Sequence, residues 1–173
     1  VFDGSKSHEI VESGIKVLQN LLHRGAIGGD LKTGDGAGIL FQIPDDFFRN
    51  ECEHLDIKLP EPGRYGVGMI FMPQSSECRK KCRNILEKTV ESEGLDFLGW
   101  RDVPIDTSAI SGQAKRERPF IRQCFVAGKG LDSAALECKL YLIRRQVECE
   151  TQEAIENGAC FYIPSMSGRT IAY

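Results

Sequence analysis

Apolar residues recur at helical spacing from His8 to Leu22, where Ile10, Val11, Ile15, Leu18, Leu21 and Leu22 follow one stripe. Ser7 supplies an N-cap oxygen and Glu9 an acidic group in the first turn, while Gly25 suits the position just past the end. The period then changes. Ala37, Ile39, Phe41 and Ile43 alternate with Gly38, Leu40 and Gln42, which predicts a strand with both faces largely covered. Pro44-Asp45-Asp46 stops that strand and opens a short helix to about Glu53.

Tyr65 to Met72 reads as a buried strand that Pro73 ends; Gly66 and Gly68 inside it signal a close neighbour, a bulge or tight sheet packing. Ser75 or Ser76 caps the next helix. Its inner stripe is Cys78, Cys82, Ile85, Leu86, Thr89 and Val90, with Arg79, Lys80, Lys81 and Lys88 facing water and Gly94 as the stop. Leu95 to Val103 is a third strand, the polar segment 106–118 a loop, and Phe120 to Ala127 a fourth strand. Asp132 or Ser133 starts a helix with the stripe Leu136, Leu140, Ile143 and Val147. Asn157-Gly158 turns into a strand Cys160–Ile163, Ser165 to Gly168 turns again, and Arg169 to Tyr173 begins another strand. Strands and helices mix without the regular alternation of a doubly wound sheet. The expected class is α+β, with a mostly antiparallel sheet and helices packed on it.

Between the first helix and the first strand lies His23 to Leu40, with six glycines in eighteen residues and Arg24, Asp30 and Asp35 among them. So much glycine costs entropy on ordering, which suits a shaped site, although a flexible surface loop shares this composition. Phosphate chemistry fails on spacing. Gly29 and Gly34 are separated as in a Walker loop, but Asp35 follows where Lys is required, and a carboxylate there repels phosphate. Gly34-Asp35-Gly36-Ala37-Gly38 is one residue short of the dinucleotide fingerprint, and it enters a strand rather than leaving one. No Gly-x-Ser-x-Gly elbow or His-Glu-x-x-His is present. The loop's one promising group is Arg24. Its guanidinium can grip a carboxylate in bidentate fashion or, equally, serve as a cation at a helix C-terminus.

The remaining composition narrows the class. The chain has 173 residues, enough for one domain with a substantial core, and a net charge of −3 with both signs interspersed. That argues against nucleic acid or an anionic membrane surface as partner. No apolar run approaches the ~20 residues of a membrane span. Val1-Phe2-Asp3-Gly4-Ser5-Lys6 has no basic and apolar regions of an export signal, so a protein that is not secreted is expected. Seven cysteines at scattered spacings fit reduced thiols of a cytoplasm or organelle interior. Cys78 and Cys82 share a helix face without a second pair, so they read as packing residues and no metal site is expected.

Certain strings match a known family. Ser7-His8-Glu9-Ile10-Val11, Leu22-His23-Arg24-Gly25-Ala26, Lys32-Thr33-Gly34-Asp35-Gly36-Ala37-Gly38-Ile39-Leu40 and Gln42-Ile43-Pro44 resemble the class II glutamine amidotransferase domain of the glutamate synthase large subunit. Leu59-Pro60-Glu61-Pro62-Gly63, Tyr65-Gly66-Val67-Gly68-Met69, Gly99-Trp100-Arg101-Asp102-Val103-Pro104, Phe161-Tyr162-Ile163 and Arg169-Thr170 continue the likeness in order. The resemblance implies a four-layer N-terminal-nucleophile hydrolase sandwich, antiparallel sheets between helix layers. It also implies an N-terminal cysteine that attacks the glutamine side-chain amide, its own α-amine acting as base. The ammonia then serves reductive amination of 2-oxoglutarate to L-glutamate, with FMN and an iron-sulfur cluster elsewhere in the full-length oxidoreductase. By the same resemblance Arg24 shapes the pocket beside that cysteine, and Thr33, Gly34, Asp35 and Gly36 join it in binding substrate.

The sequence departs from the family pattern at its first position, which is Val rather than Cys, and Cys52 lies too far along to replace it. The expectation is therefore a partial type-2 amidotransferase domain over residues 1–173, incomplete at both ends, with the nucleophile upstream of Val1. No catalytic residue and no cofactor fall in this segment; the partners are L-glutamine and the remaining synthase domains. The isolated chain is expected to be inactive and poorly soluble, in a cytoplasm or an organelle such as a plastid. The other reading is a fold that lost its chemistry and serves as a binding or assembly module.

Overall fold

The computed structural model describes residues 5, 7–25, 34, 36–155 and 161–173. Its elements run α1 (His8–Asn20), β1 (Leu40–Gln42), α2 (Asp45–Glu53), β2 (Tyr65–Met72), α3 (Ser76–Ser92) and β3 (Asp96–Asp102). They continue with α4 (Gly112–Glu117), β4 (Phe120–Ala127), α5 (Ser133–Ala154), β5 (Tyr162–Ser167) and β6 (Thr170–Ala172). The four pairings of the described strands are all antiparallel. One sheet has the order β3-β4-β2-β5, and β1 and β6 form a separate two-stranded ribbon. The α+β class stands.

Alternation along the central strands builds two cores. Ile70 and Met72 of β2 and Cys124 and Val126 of β4 face the helices, where Cys82, Leu86 and Val90 of α3 and Leu136, Leu140, Ile143 and Val147 of α5 cover them. Tyr65, Val67 and Met69 of β2 and Phe125 of β4 face the other way, onto Phe48 and Cys52 of α2 and Ile171 of β6. A helix pair, a four-stranded sheet and a ribbon with α2 are thus stacked in that order. β2 is buried on both faces, and its glycines explain how: a Cβ at Gly66 would collide with Leu140, and one at Gly68 would sit 2.6 Å from the Cys124 sulfur.

The helix starts follow the capping residues. Ser7, Ser75 and Asp132 each accept a backbone N–H from the first turn of α1, α3 and α5. Gly94 ends α3 at φ 79°, a left-handed conformation that costs glycine little.

Several expectations need correction. α1 stops at Asn20; a 3₁₀ turn over Leu22–Arg24 follows, and Gly25 caps that turn in an extended conformation rather than a left-handed one. β1 is only three residues long and Leu40 is 63% exposed, so its outer face is open among the described residues. The segment 106–118 is not all loop, because Ser111 caps the short α4. β5 runs through Ser167, so the turn expected at Ser165 to Gly168 begins later. The Asn157-Gly158 turn lies outside the described residues.

Candidate functional site

The 3₁₀ turn after α1 carries Arg24 on the surface, its backbone N–H donating to the Leu21 carbonyl at 2.9 Å. His23 closes the helix end, Nδ1 lying 3.0 Å from the Asn20 carbonyl, a packing role rather than a ligating one. Among the described residues the exposed Arg24 guanidinium meets no hydrogen-bond or ion-pair partner.

On the far side of the loop, Gly34 and Gly36 are exposed, and Gly36 sits at φ 81°, where a side chain would be strained. Gly38 is constrained differently. A Cβ there would lie 3.2 Å from the Tyr173 carbonyl, so glycine lets the chain enter the ribbon in close contact with β6. Ile39 N donates to the Tyr173 carbonyl at 2.7 Å, and Tyr173 N donates back to Ile39 at 2.9 Å. The structure thus brings Gly36 and Gly38 to the mouth of the ribbon and puts Arg24 on the turn after α1. Thr33 and Asp35 lie outside the described residues.

Three of the described thiols, Cys52, Cys82 and Cys124, are buried and poor nucleophiles at neutral pH. Burial pushes Cys52 and Cys82 up to about 11 and Cys124 up to about 12, the opposite of activation. Among the described residues no three His, Cys, Asp or Glu side chains converge to hold a metal ion.

The chain matches the model of the class II glutamine amidotransferases over residues 1–173. The chain belongs to this family. It is 45% identical over 172 residues to the glutamate synthase [NADPH] large chain of Bacillus subtilis, covering 98% of this chain and 11% of the relative. The corresponding chain of Azospirillum brasilense is 38% identical over 173 residues, covering 99% and 11%. Ferredoxin-dependent glutamate synthase 2, chloroplastic, of Arabidopsis thaliana is 35% identical over 173 residues, covering 99% and 10%. The amidotransferase segment thus spans about a tenth of the length of these relatives.

A second constellation in this amidotransferase segment escaped the sequence reading. Arg101 of β3 is 6% exposed and Gln123 of β4 fully buried. Arg101 donates through Nε and Nη2 to Glu51 of α2, at 2.9 and 2.5 Å, and through Nη1 to the Gln123 side-chain oxygen at 2.9 Å. The Gln123 amide nitrogen donates to the Tyr173 hydroxyl at 2.6 Å. The available signal was Gln123 at the inward position between Ile121 and Phe125. Beside the network a groove of about 590 Å³ opens between α1 and the β1–α2 corner, lined by His8, Val11, Leu40, Phe41 and Phe47.

Proposed function

We propose that this chain is part of the glutaminase domain of a glutamate synthase. That enzyme hydrolyses the side-chain amide of L-glutamine and uses the ammonia for reductive amination of 2-oxoglutarate to L-glutamate. The observation that carries the reading is the family match along all 173 residues, with the glycine-rich approach to β1 inside it. In this reading Arg24 shapes the glutamine pocket beside the nucleophile and, with Thr33, Gly34, Asp35 and Gly36, binds the substrate.

The hydrolysis adds water across the amide C–N bond, giving glutamate and ammonia. In this reading the attacking thiolate is that of an N-terminal cysteine, a role to which the buried Cys52, Cys82 and Cys124, whose thiols hold their protons, are unsuited. FMN and an iron-sulfur cluster would supply the redox chemistry from other domains. Cys52 belongs to the core behind the ribbon and Cys82 and Cys124 to the core under the helices, so these residues do not fit a shared cluster. The remaining synthase domains are the partners; the apolar surface of α1 and the turn after it, with Val17 56% and Leu22 76% exposed, offers them surface. The setting is a cytoplasm or a plastid interior, and no described helix is long and apolar enough to cross a membrane.

The test is glutamine hydrolysis by the full-length polypeptide containing this segment, wild type against Arg24→Lys. Replacing the fork by a point charge should raise the glutamine KM about ten-fold or more. The melting temperature should not move, because Arg24 holds no described partner. A full-length protein that releases no ammonia from glutamine overturns the reading.

A further inference from the structure

Tyr173 is tethered twice. Its backbone is paired with Ile39, the residue at which the glycine-rich segment enters β1, and its ring stacks on Phe41 with centroids 5.4 Å apart at 11°. Its hydroxyl accepts from Gln123, whose own oxygen is held by Arg101, itself anchored on Glu51. An unbroken series of contacts therefore runs from α2 through the end of β3 and the middle of β4 to the mouth of the glycine loop. The ribbon is small, with three residue pairs joining its strands. Together with Ile171 and Phe41 at the shared core, and with the Ala172 N–H donating to Ser165 Oγ of β5 at 3.0 Å, this series ties the Ile39 end of the ribbon to the four-stranded sheet.

A buried arginine and a buried amide are costly occupants of a core unless each polar atom is matched. Here they are matched with a definite polarity. The Gln123 oxygen faces a guanidinium that can only donate, which forces the NH₂ group toward Tyr173. An apolar pair of the same size would pack here at lower risk. It would also lose the directional link between β4 and the Tyr173 hydroxyl. We propose that Gln123 and Tyr173 are positioning residues, which fix the β1–β6 ribbon on the four-stranded sheet and so place Gly36 to Ile39 for glutamine binding. The glutamine part rests on the function proposed above; the mechanical part does not.

The experiment uses the full-length polypeptide and two variants. Tyr173→Phe keeps the ring, its stacking on Phe41 and both backbone bonds, and removes only the hydroxyl. Gln123→Glu keeps an acceptor for Arg101 and lets Tyr173 donate its own proton to the carboxylate, so both links survive. Backbone hydrogen exchange followed by mass spectrometry reads the mechanical part, and glutamine KM and kcat read the functional part.

For Tyr173→Phe, exchange over residues 36–43 should accelerate about five- to ten-fold, the loss of one net hydrogen bond, with β2 and β4 unchanged. KM should rise by a similar factor and kcat stay within about two-fold. Gln123→Glu should stay within about two-fold of wild type in every readout. Unchanged exchange at 36–43, or acceleration shared equally with β2 and β4, overturns the proposal. Faster exchange with an unchanged KM overturns the link to glutamine binding. If the wild type hydrolyses no glutamine, the proposed function fails, and exchange alone decides the mechanical part.

Discussion

Gly66→Ala puts one methyl group where β2 meets α5, and the structure fixes what that methyl meets. Its Cβ would lie 3.0 Å from Cδ2 and 3.2 Å from Cγ of Leu140, and nearer still to Cδ1. Carbon atoms rest at about 3.5–4.0 Å, so the helix and the strand must separate or Leu140 must leave its rotamer. Leu140 has nowhere to go, being fully buried in a core that includes Ile143, Leu136 and Val147. Overpacking of this kind costs roughly 1–3 kcal/mol. Leu140→Ala deletes the three atoms that clash and alone costs roughly 2–5 kcal/mol. In the double variant the collision is gone and the new methyl refills part of the hole. Gly66→Ala, destabilising in the wild-type background, should therefore be neutral or stabilising beside Leu140→Ala, a coupling of about 1–3 kcal/mol. The assay is denaturant unfolding of the four proteins of the cycle, followed by circular dichroism and by fluorescence of Trp100, the chain's single tryptophan. Coincident transitions justify the two-state treatment. Additivity within about 0.5 kcal/mol would show that Gly66 does not answer to Leu140, and the account of the β2–α5 contact would fail.

Thiol accessibility gives a second check. At pH 8 Cys138 and Cys149, exposed on α5, should alkylate within minutes, while Cys52, Cys82 and Cys124 should label only on unfolding. Their raised pKa values and burial act in the same direction, because the thiolate fraction of each falls as its pKa rises; early labelling of Cys124, read by peptide mass spectrometry, would contradict the core assignment. In the 173-residue chain taken alone, Leu22 and Val17 should drive self-association. Leu22→Lys combined with Val17→Lys should move the sedimentation profile toward monomer, and an unchanged profile would place the sticky surface elsewhere.

Much of the fold was legible because its strongest elements are those with an unbroken period. The stripe of α3 and the alternating faces of β2 and β4 are set by burial on defined sides, and the caps at Ser7, Ser75 and Asp132 fall where side-chain chemistry requires them. α4 was illegible because no apolar stripe drives it: its Ser111 cap starts it, and Gln74 donates to the carbonyls of Arg116 and Arg118 at its end. β5 was cut short because Pro164 and the small residues around it look like a turn. Yet β5 is an edge strand, where a proline's missing N–H need leave no ladder bond unmade. The turn itself is held from outside, by Glu137 accepting from Ser167 and from the Gly168 N–H. Of the site, the glycines at 36 and 38 were readable as backbone requirements. Arg101 and Gln123 were not, since a polar residue at an inward position announces a partner without naming it, and the partners here lie on α2 and β6.

The pairing of β1 with β6 also sets an order of events. Leu40 faces Ala172, and Gln42 faces Thr170, so the ribbon joins two segments that leave the ribosome far apart in time. The helix-coated sheet can collapse earlier, because β2, β3 and β4 lie close along the chain and their contacts close shorter loops. Until Tyr173 has emerged, Ile39 has no backbone partner in β6, and the core that includes Phe48 and Phe125 still lacks Ile171. A product truncated before β6 therefore lacks both the ribbon and one wall of that core.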